Sequence, residues 1–273
     1  MKGLRDLARA WVPPALLDLS RRLRGESITF RGGYATWDGA LAASRGYADK
    51  VIVERVRQAL LSVRAGGGAF ERDGVVLPNR EYDFPLLAGL LYAAATQGRL
   101  HVVDIGGSLG GTYFQYRELL RGVPGLKWDV VEQPHFVECG RAEFADDVLG
   151  FEFALRDCFA AVRPNMILLS SVLPYVADPY GLIEDVRAVG AEFVLLNRTP
   201  ALLTRGADML TVQNVALVEY RTSYPAWLLG HAQMLAAFSP DYRMVWEFDP
   251  IGHWSVKGRD ASCVGGLLRR TGE

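Results

Sequence analysis

The chain has 273 residues, half of them hydrophobic, which is enough apolar material for one large core or one and a half. Thirty basic residues balance 31 acidic ones, so a formal charge of -1 supplies no general attraction for nucleic acid. Cys139, Cys158 and Cys263 have neither metal-ligand spacing nor the even count of a disulfide framework; no metal is expected, and a reducing, cytoplasmic setting suits them.

The N-terminal stretch sets Lys2, Arg5, Arg9, Arg21, Arg22 and Arg24 among Leu4, Leu7, Trp11, Leu16, Leu19 and Leu23. A basic amphipathic segment of this kind suits a helix packed on its own domain or on a second copy in a homodimer. Peripheral contact with an anionic membrane is the alternative, and Pro13–Pro14 interrupts any helix there. No signal-peptide core stands out. The apolar run around Pro85–Ala95 is shorter than the ~20 residues that span a bilayer.

Residues 1–98 read as mostly helical, with a turn at Gly32–Gly33. Val51, Ile52, Val56, Leu60 and Val63 form an apolar stripe at helical spacing, ended by Gly66–Gly67–Gly68. A second helix starts at Asp83 or Pro85, reaches about Ala95, and is closed by Gly98. With Phe30, Tyr34, Trp37 and Tyr47, this region is expected to cap an acceptor site.

From Leu100 short apolar runs alternate with helix-like stretches: Leu100–Ile105, Trp128–Glu132, Phe151–Leu155, Met166–Ser170 and Phe193–Asn197. The alternation predicts an α/β domain over residues 99–273, with five parallel strands and crossover helices. Asp178–Pro179 reads as an N-cap followed by Pro at the first helical position, with Ile183, Val186 and Val189 on the buried side. Ala226–Phe238 reads as a helix. Tyr242–Phe248 and Ser262–Arg270 read as an antiparallel pair closing a Rossmann-like sheet, where a dinucleotide dehydrogenase would bring a sixth parallel strand.

Val102–Val103–Asp104–Ile105–Gly106–Gly107–Ser108–Leu109–Gly110 is the segment richest in chemical information. It is a strand, an acid and a glycine-rich turn before a helix, so a ligand can approach the main chain closely. Ser108 replaces the second glycine of a dinucleotide turn. Asp104 suits a ligand of positive character better than a pyrophosphate. S-adenosylmethionine (SAM), with its sulfonium and ammonium, is such a ligand. Glu132, at the end of the next apolar run, is placed to accept ribose hydroxyls, as an acid does in adenosine-binding sites generally.

Asp104–Gly110 resembles the D-V-G-G-G-x-G signature of small-molecule O-methyltransferases. Glu132–Gln133–Pro134–His135–Phe136–Val137 resembles their D-L-P-H-V-I segment. Asp157–Pro164 is similar to their G-D-M-F-x-x-V-P segment. Nearly the whole chain resembles a bacterial class I methyltransferase family that often accompanies cell-surface polysaccharide genes. Shared features include Phe30–Tyr34 with Trp37, Gly46–Tyr47, Leu173–Pro174–Tyr175, Asn197–Pro200 and Tyr224–Trp227. The resemblance implies that Asp104, Gly106, Gly107 and Ser108 line the methionine end of SAM. It further implies that Glu132 and Gln133 hold the ribose, that Asp157, Cys158 and Phe159 flank the adenine, and that S-adenosylhomocysteine is the product. A small molecule or glycan precursor would be the acceptor.

One departure bears on mechanism. The histidine base that those O-methyltransferases carry after the fourth strand aligns with Pro174. His253, in the loop between the last two strands, is the first choice for a replacement base, although a structural role competes with it. Tyr175 is expected to close the pocket or position the acceptor, and Arg198 to pair with an acidic or sugar-phosphate acceptor or to form a surface or interdomain salt bridge. Two other readings compete: a SAM-binding partner protein without turnover, and an NAD-dependent sugar-modifying enzyme.

Overall fold

The computed structural model describes residues 27–45, 49–72, 74–79, 82–159, 163–216 and 221–272. The basic N-terminal segment and the Gly46–Tyr47 turn lie outside them. The elements in order are β1 (Ser27–Arg31), α1 (Trp37–Ala42), α2 (Asp49–Arg64), β2 (Phe70–Arg72), β3 (Val75–Leu77), α3 (Phe84–Gln97), β4 (His101–Ile105), α4 (Gly111–Leu120), β5 (Lys127–Val131), α5 (Pro134–Glu143) and β6 (Leu149–Glu152). There follow β7 (Met166–Ser170), α6 (Pro179–Val189), β8 (Phe193–Leu202), β9 (Met209–Ala216), β10 (Arg221–Gly230), α7 (His231–Ala237), β11 (Tyr242–Glu247), β12 (Ile251–Val256) and β13 (Arg259–Arg270).

The chain divides into two compact units, and not at residue 98. One comprises residues 1–47 with 210–226, and the other residues 48–209 with 227–273. In the smaller unit β1 runs antiparallel to β9, from Ser27 opposite Ala216 to Arg31 opposite Val212, and β9 lies beside β10. The Thr211 hydroxyl donates to the Ala226 carbonyl at 2.7 Å. Two local facts order its turn: the Tyr34 ring fills the space a side chain at Gly32 would need, and Thr36 caps α1. Among the described residues the N-terminal region is mostly helical, as expected, through α1, α2 and α3; the short strands β1, β2 and β3 were not expected, and β1 pairs with a strand far along the chain.

The larger unit carries the α/β sheet. β6, β5, β4, β7 and β8 are parallel neighbours in that order, and β13 runs antiparallel between β8 and β11. The five apolar runs became the five parallel strands, within two residues except at the ends of β6 and β8. Strand β8 continues to Leu202, because Thr199–Leu202 pairs with Ala261–Val264 of β13. Strand β12, absent from the sequence reading, forms a hairpin with β13.

Both faces of this sheet are covered, so its strands are apolar almost throughout. Alternation sends Val102, Leu168 and Leu195 into one core with Trp128, Leu90 and Tyr116, and Val103, Ile105, Ile167 and Val194 into the other with Ile183, Val186 and Phe238. Helix α3 approaches β8 through Gly89, where an added Cβ would lie 2.8 Å from Leu195 Cδ1. The helix expected over Ala226–Phe238 begins only at His231. Trp227–Gly230 is the end of β10, and Leu229 and Gly230 run parallel to Ala201 and Leu202. Among the described residues no helix is long and apolar enough to cross a membrane.

Asp178 caps α6 as its position before Pro179 predicts, its Oδ1 accepting the Gly181 N–H at 2.9 Å. Asp178→Ala should cost about 1 kcal/mol of unfolding free energy in urea denaturation through loss of that cap. A change within error would show that water replaces the carboxylate there.

Candidate functional site

The carboxyl ends of β4, β5, β7 and β8 lie side by side, which is where open α/β sheets bind ligands. Strand β4 leaves this edge through Gly106–Gly110. The Gly106 N–H donates to Val131 O at 2.9 Å and ties the turn to the end of β5. Gly106 and Gly110 have φ of 72° and 83°, and Gly110 is the N-cap of α4. A Cβ at Gly107 would stand 2.6 Å from the Asp104 carboxylate, so the turn closes directly over that acid.

Asp104 is 1% exposed. Strand alternation aims it to the Trp128 side of the sheet, where Trp128 Nε1 donates to Oδ2 at 3.3 Å. Burial pushes its carboxyl up to about 7; the Trp128 bond opposes the rise and the nearby Glu132 charge adds to it. Glu132 follows β5 and is half-buried. Its Oε2 accepts the Gln133 N–H at 2.8 Å. Burial raises its pKa, opposed by the Gln133 and Ser108 main chain and by nearby His135. Two acids far apart in sequence thus meet on one turn.

Gln133 is exposed as the N-cap of α5. Asp157 and Cys158 lie in a 3-10 turn, Leu155–Phe159, after β6. Asp157 is exposed, and Cys158 is buried, with its thiol raised far above its ordinary value, by burial first and then by Asp129. The side chain of Phe159 lies outside the described ones. The structure thus brings Asp104, Gly106, Gly107, Ser108, Glu132 and Gln133 to one turn, and sets Asp157 and Cys158 at the end of the neighbouring β6.

The proposed catalytic residues are spread more widely. Tyr175 is half-buried in a 3-10 turn, Leu173–Tyr175, that also buries Pro174. His253 is on the β12–β13 hairpin, its side chain 67% exposed and its Nε2 3.7 Å from Asp260 Oδ1. Arg198 lies in β8, one residue beyond the pairing of β8 with β7, and its Nε stands 3.5 Å from Asp83 Oδ2.

Asp83 was read from sequence only as a possible helix start. Its Oδ1 caps α3 by accepting the Leu86 N–H at 3.2 Å. The Tyr116 hydroxyl accepts the Asp83 N–H at 2.8 Å and donates to its carbonyl at 3.3 Å. Burial pushes the Tyr116 hydroxyl up to about 12, so it stays protonated and keeps donating. Four non-glycine residues have positive φ among those described, and three belong to this edge: Ser108, Ser171 and Arg198. Such conformations cost on the order of 1–3 kcal/mol each and concentrate at functional sites. Here they are held by neighbours. The Ser171 N–H donates to Asn197 O at 2.9 Å and the Ser171 hydroxyl to Arg198 O at 2.9 Å.

Solved structures with a similar fold include the N-terminal domain of EvdMO1, determined in the presence of SAH and D-fucose. It is 18% identical over 83% of this chain and 100% of that one, with a TM-score of 0.47. Full-length EvdMO1 is 17% identical over 81% of this chain (TM-score 0.44), and this chain spans only 47% of it. CalS10, a SAM-bound amino pentose methyltransferase of Micromonospora echinaspora, is 10% identical over 69% of this chain and 91% of its own (TM-score 0.40). At these identities the likeness is one of fold, and substrate and activity rest on the chain's own residues. No protein-family model and no curated protein matches the sequence.

The buried Asp104 has a consequence for stability. The unfolded chain releases this proton near 3.8, while the native carboxyl keeps it to about 7. The native state binds the extra proton across that window, so stability falls as pH rises through it. A shift of this size corresponds to about 4 kcal/mol. Asp104→Asn keeps an acceptor for Trp128 and has no charge to bury. Urea unfolding should show the variant close to wild type at pH 4 and more stable by up to about that amount at pH 8. An equal gap at both pH values would mean that Asp104 does not titrate in this window.

Proposed function

We propose that the turn at the end of β4 binds SAM and that the protein is a SAM-dependent methyltransferase, with O-methylation of a small molecule or glycan precursor as its reaction. The observation that carries this reading is the pair of carboxylates, Asp104 and Glu132, meeting on a glycine-rich turn with burial raising both pKa values. Two acids there repel a pyrophosphate and favour a ligand bearing cationic groups. When bound, SAM supplies a methyl group activated by the sulfonium.

The chain's own residues fit that ligand part by part. Gly106 and Gly107 let the main chain turn tightly over Asp104, which suits the methionine end. Glu132 has one oxygen engaged by Gln133 and retains lone pairs for ribose hydroxyls. Asp157 and Cys158, at the end of β6, suit the adenine. Placing an acceptor in line and excluding water then supply much of the catalysis. Buried Pro174, where related O-methyltransferases carry a histidine, favours a second reading, a SAM-binding protein without turnover. Product formation from a panel of glycan precursors separates the two.

Calorimetric titration with S-adenosylhomocysteine should give binding in the micromolar range, near -8 kcal/mol as an order of magnitude. Glu132→Ala should weaken it at least tenfold, and NAD should not bind. Binding of NAD in place of the homocysteine compound would transfer the site to a dinucleotide enzyme. Titration with SAM near pH 7 should also release protons, because a cation beside Asp104 lowers its raised pKa. That release appears as a binding heat that depends on the buffer's ionisation enthalpy. Asp104→Asn should remove most of it, and undiminished release in the variant would place the cation elsewhere.

A further inference from the structure

We propose that Asp83 and Arg198 form a clamp for a neutral, hydroxyl-bearing acceptor, with Asp83 Oδ2 taking the hydrogen of the bound hydroxyl. The assignment rests on the methyltransferase reading above and supplies the acceptor group that the proline at 174 leaves unfilled. Its ground is a mismatch between proximity and bonding. The Asp83 side chain is 10% exposed, and Oδ2 itself is buried with no hydrogen-bond donor among the described residues. The Arg198 side chain is 34% exposed, and its Nε stands 3.5 Å from that oxygen, within ion-pair reach without a hydrogen bond. Among the described residues its guanidinium makes no hydrogen bond at all.

A buried carboxylate oxygen left without a donor is costly, and native structures rarely carry one without a use. One hydroxyl group satisfies both partners. It donates to Asp83 Oδ2 and accepts from the Arg198 guanidinium; a vicinal diol does the same with two oxygens. The pair is electrically neutral, so it offers an anionic acceptor no net attraction and sets a carboxylate against it. That favours a polyol over a phosphate or carboxylate ligand.

Both members are fixed in place. The Tyr116 hydroxyl holds the Asp83 backbone on its N–H and its carbonyl, and Tyr116 belongs to α4, the helix that begins at the glycine turn. Arg198 is held at φ 48° with its carbonyl bonded by Ser171 at the end of β7. The clamp is thereby tied to the same sheet edge as the cofactor turn. A carboxylate that accepts the hydroxyl hydrogen orients the oxygen and can hold its proton at Oδ2, the work otherwise done by a histidine base.

The test is ligand-observed NMR titration of the full chain with D-galactose, D-fucose and myo-inositol, and with glucose 1-phosphate and glucuronate as anionic counterparts. Each is run with and without saturating S-adenosylhomocysteine. Wild type should bind at least one neutral polyol more tightly than either anion. Asp83→Asn, which keeps an acceptor for the Leu86 N–H and so keeps the α3 cap, should weaken polyol binding tenfold or more with S-adenosylhomocysteine affinity unchanged. Arg198→Met should do the same. Absence of polyol binding to wild type, equal binding to Asp83→Asn, or preference for the anions would overturn the clamp. Loss of S-adenosylhomocysteine binding alone, with Asp83-dependent polyol binding intact, would remove the cofactor reading and leave the clamp standing.

Discussion

The Gly106 N–H donates to the Val131 carbonyl at 2.9 Å, and the site depends on that contact. It joins the turn after β4 to the tip of β5 and brings a second negative group toward Asp104. Neither acid has enough donors to offset its burial, so both lie above their ordinary pKa values. An enclosed turn with unfilled acceptor capacity is a poor resting state and a good receptor. A ligand with cationic and hydroxyl groups supplies what the protein withholds.

Such a turn needs a rigid frame. The frame is the parallel sheet, whose strands alternate between two apolar cores and leave little freedom for slippage. Asp104 occupies a position in β4 that alternation would give to an apolar residue, between Val102 and the turn. Trp128 is its one buried donor, and the indole fills the volume that would otherwise admit water. The strain at Ser171 and Arg198 is sustained by hydrogen bonds between the ends of β7 and β8, from the Ser171 N–H to Asn197 O and from the Ser171 hydroxyl to Arg198 O.

The parallel strands and the glycine-rich turn were legible because their signals are local. An apolar run followed by an acid and glycines keeps its meaning wherever the chain goes. Asn197–Arg198–Thr199–Pro200 carries the opposite signature, polar and ended by proline, and reads as a loop. It is strand because β13, far along the chain, lies antiparallel to it, with Cys263 opposite Pro200. The pairing of β1 with β9 was hidden for the same reason, since neither segment announces its partner. In Ala226–Phe238 the apolar Trp227, Leu228 and Leu229 fit a helix by pattern, and the parallel contact with β8 made them strand. The Asp83–Arg198 pair is a fourth case. Asp83 has a helix-cap signature that accounts for only one of its two carboxylate oxygens. What the other oxygen faces depends on where β8 ends.

That second oxygen also bears on the missing histidine. A histidine base serves when a hydroxyl must lose its proton early; by the resemblance to O-methyltransferases its position falls on Pro174, buried in a turn. Displacement at a sulfonium carbon asks less of its nucleophile than attack at a carbonyl does, because the leaving group is neutral and needs no proton. The demand falls instead on orientation: one lone pair in line and the hydrogen directed away. A carboxylate whose one oxygen caps a helix and whose other faces a guanidinium meets that demand through geometry. On this view the proline is consistent with an active enzyme in which alignment, rather than a strong base, supplies most of the acceleration.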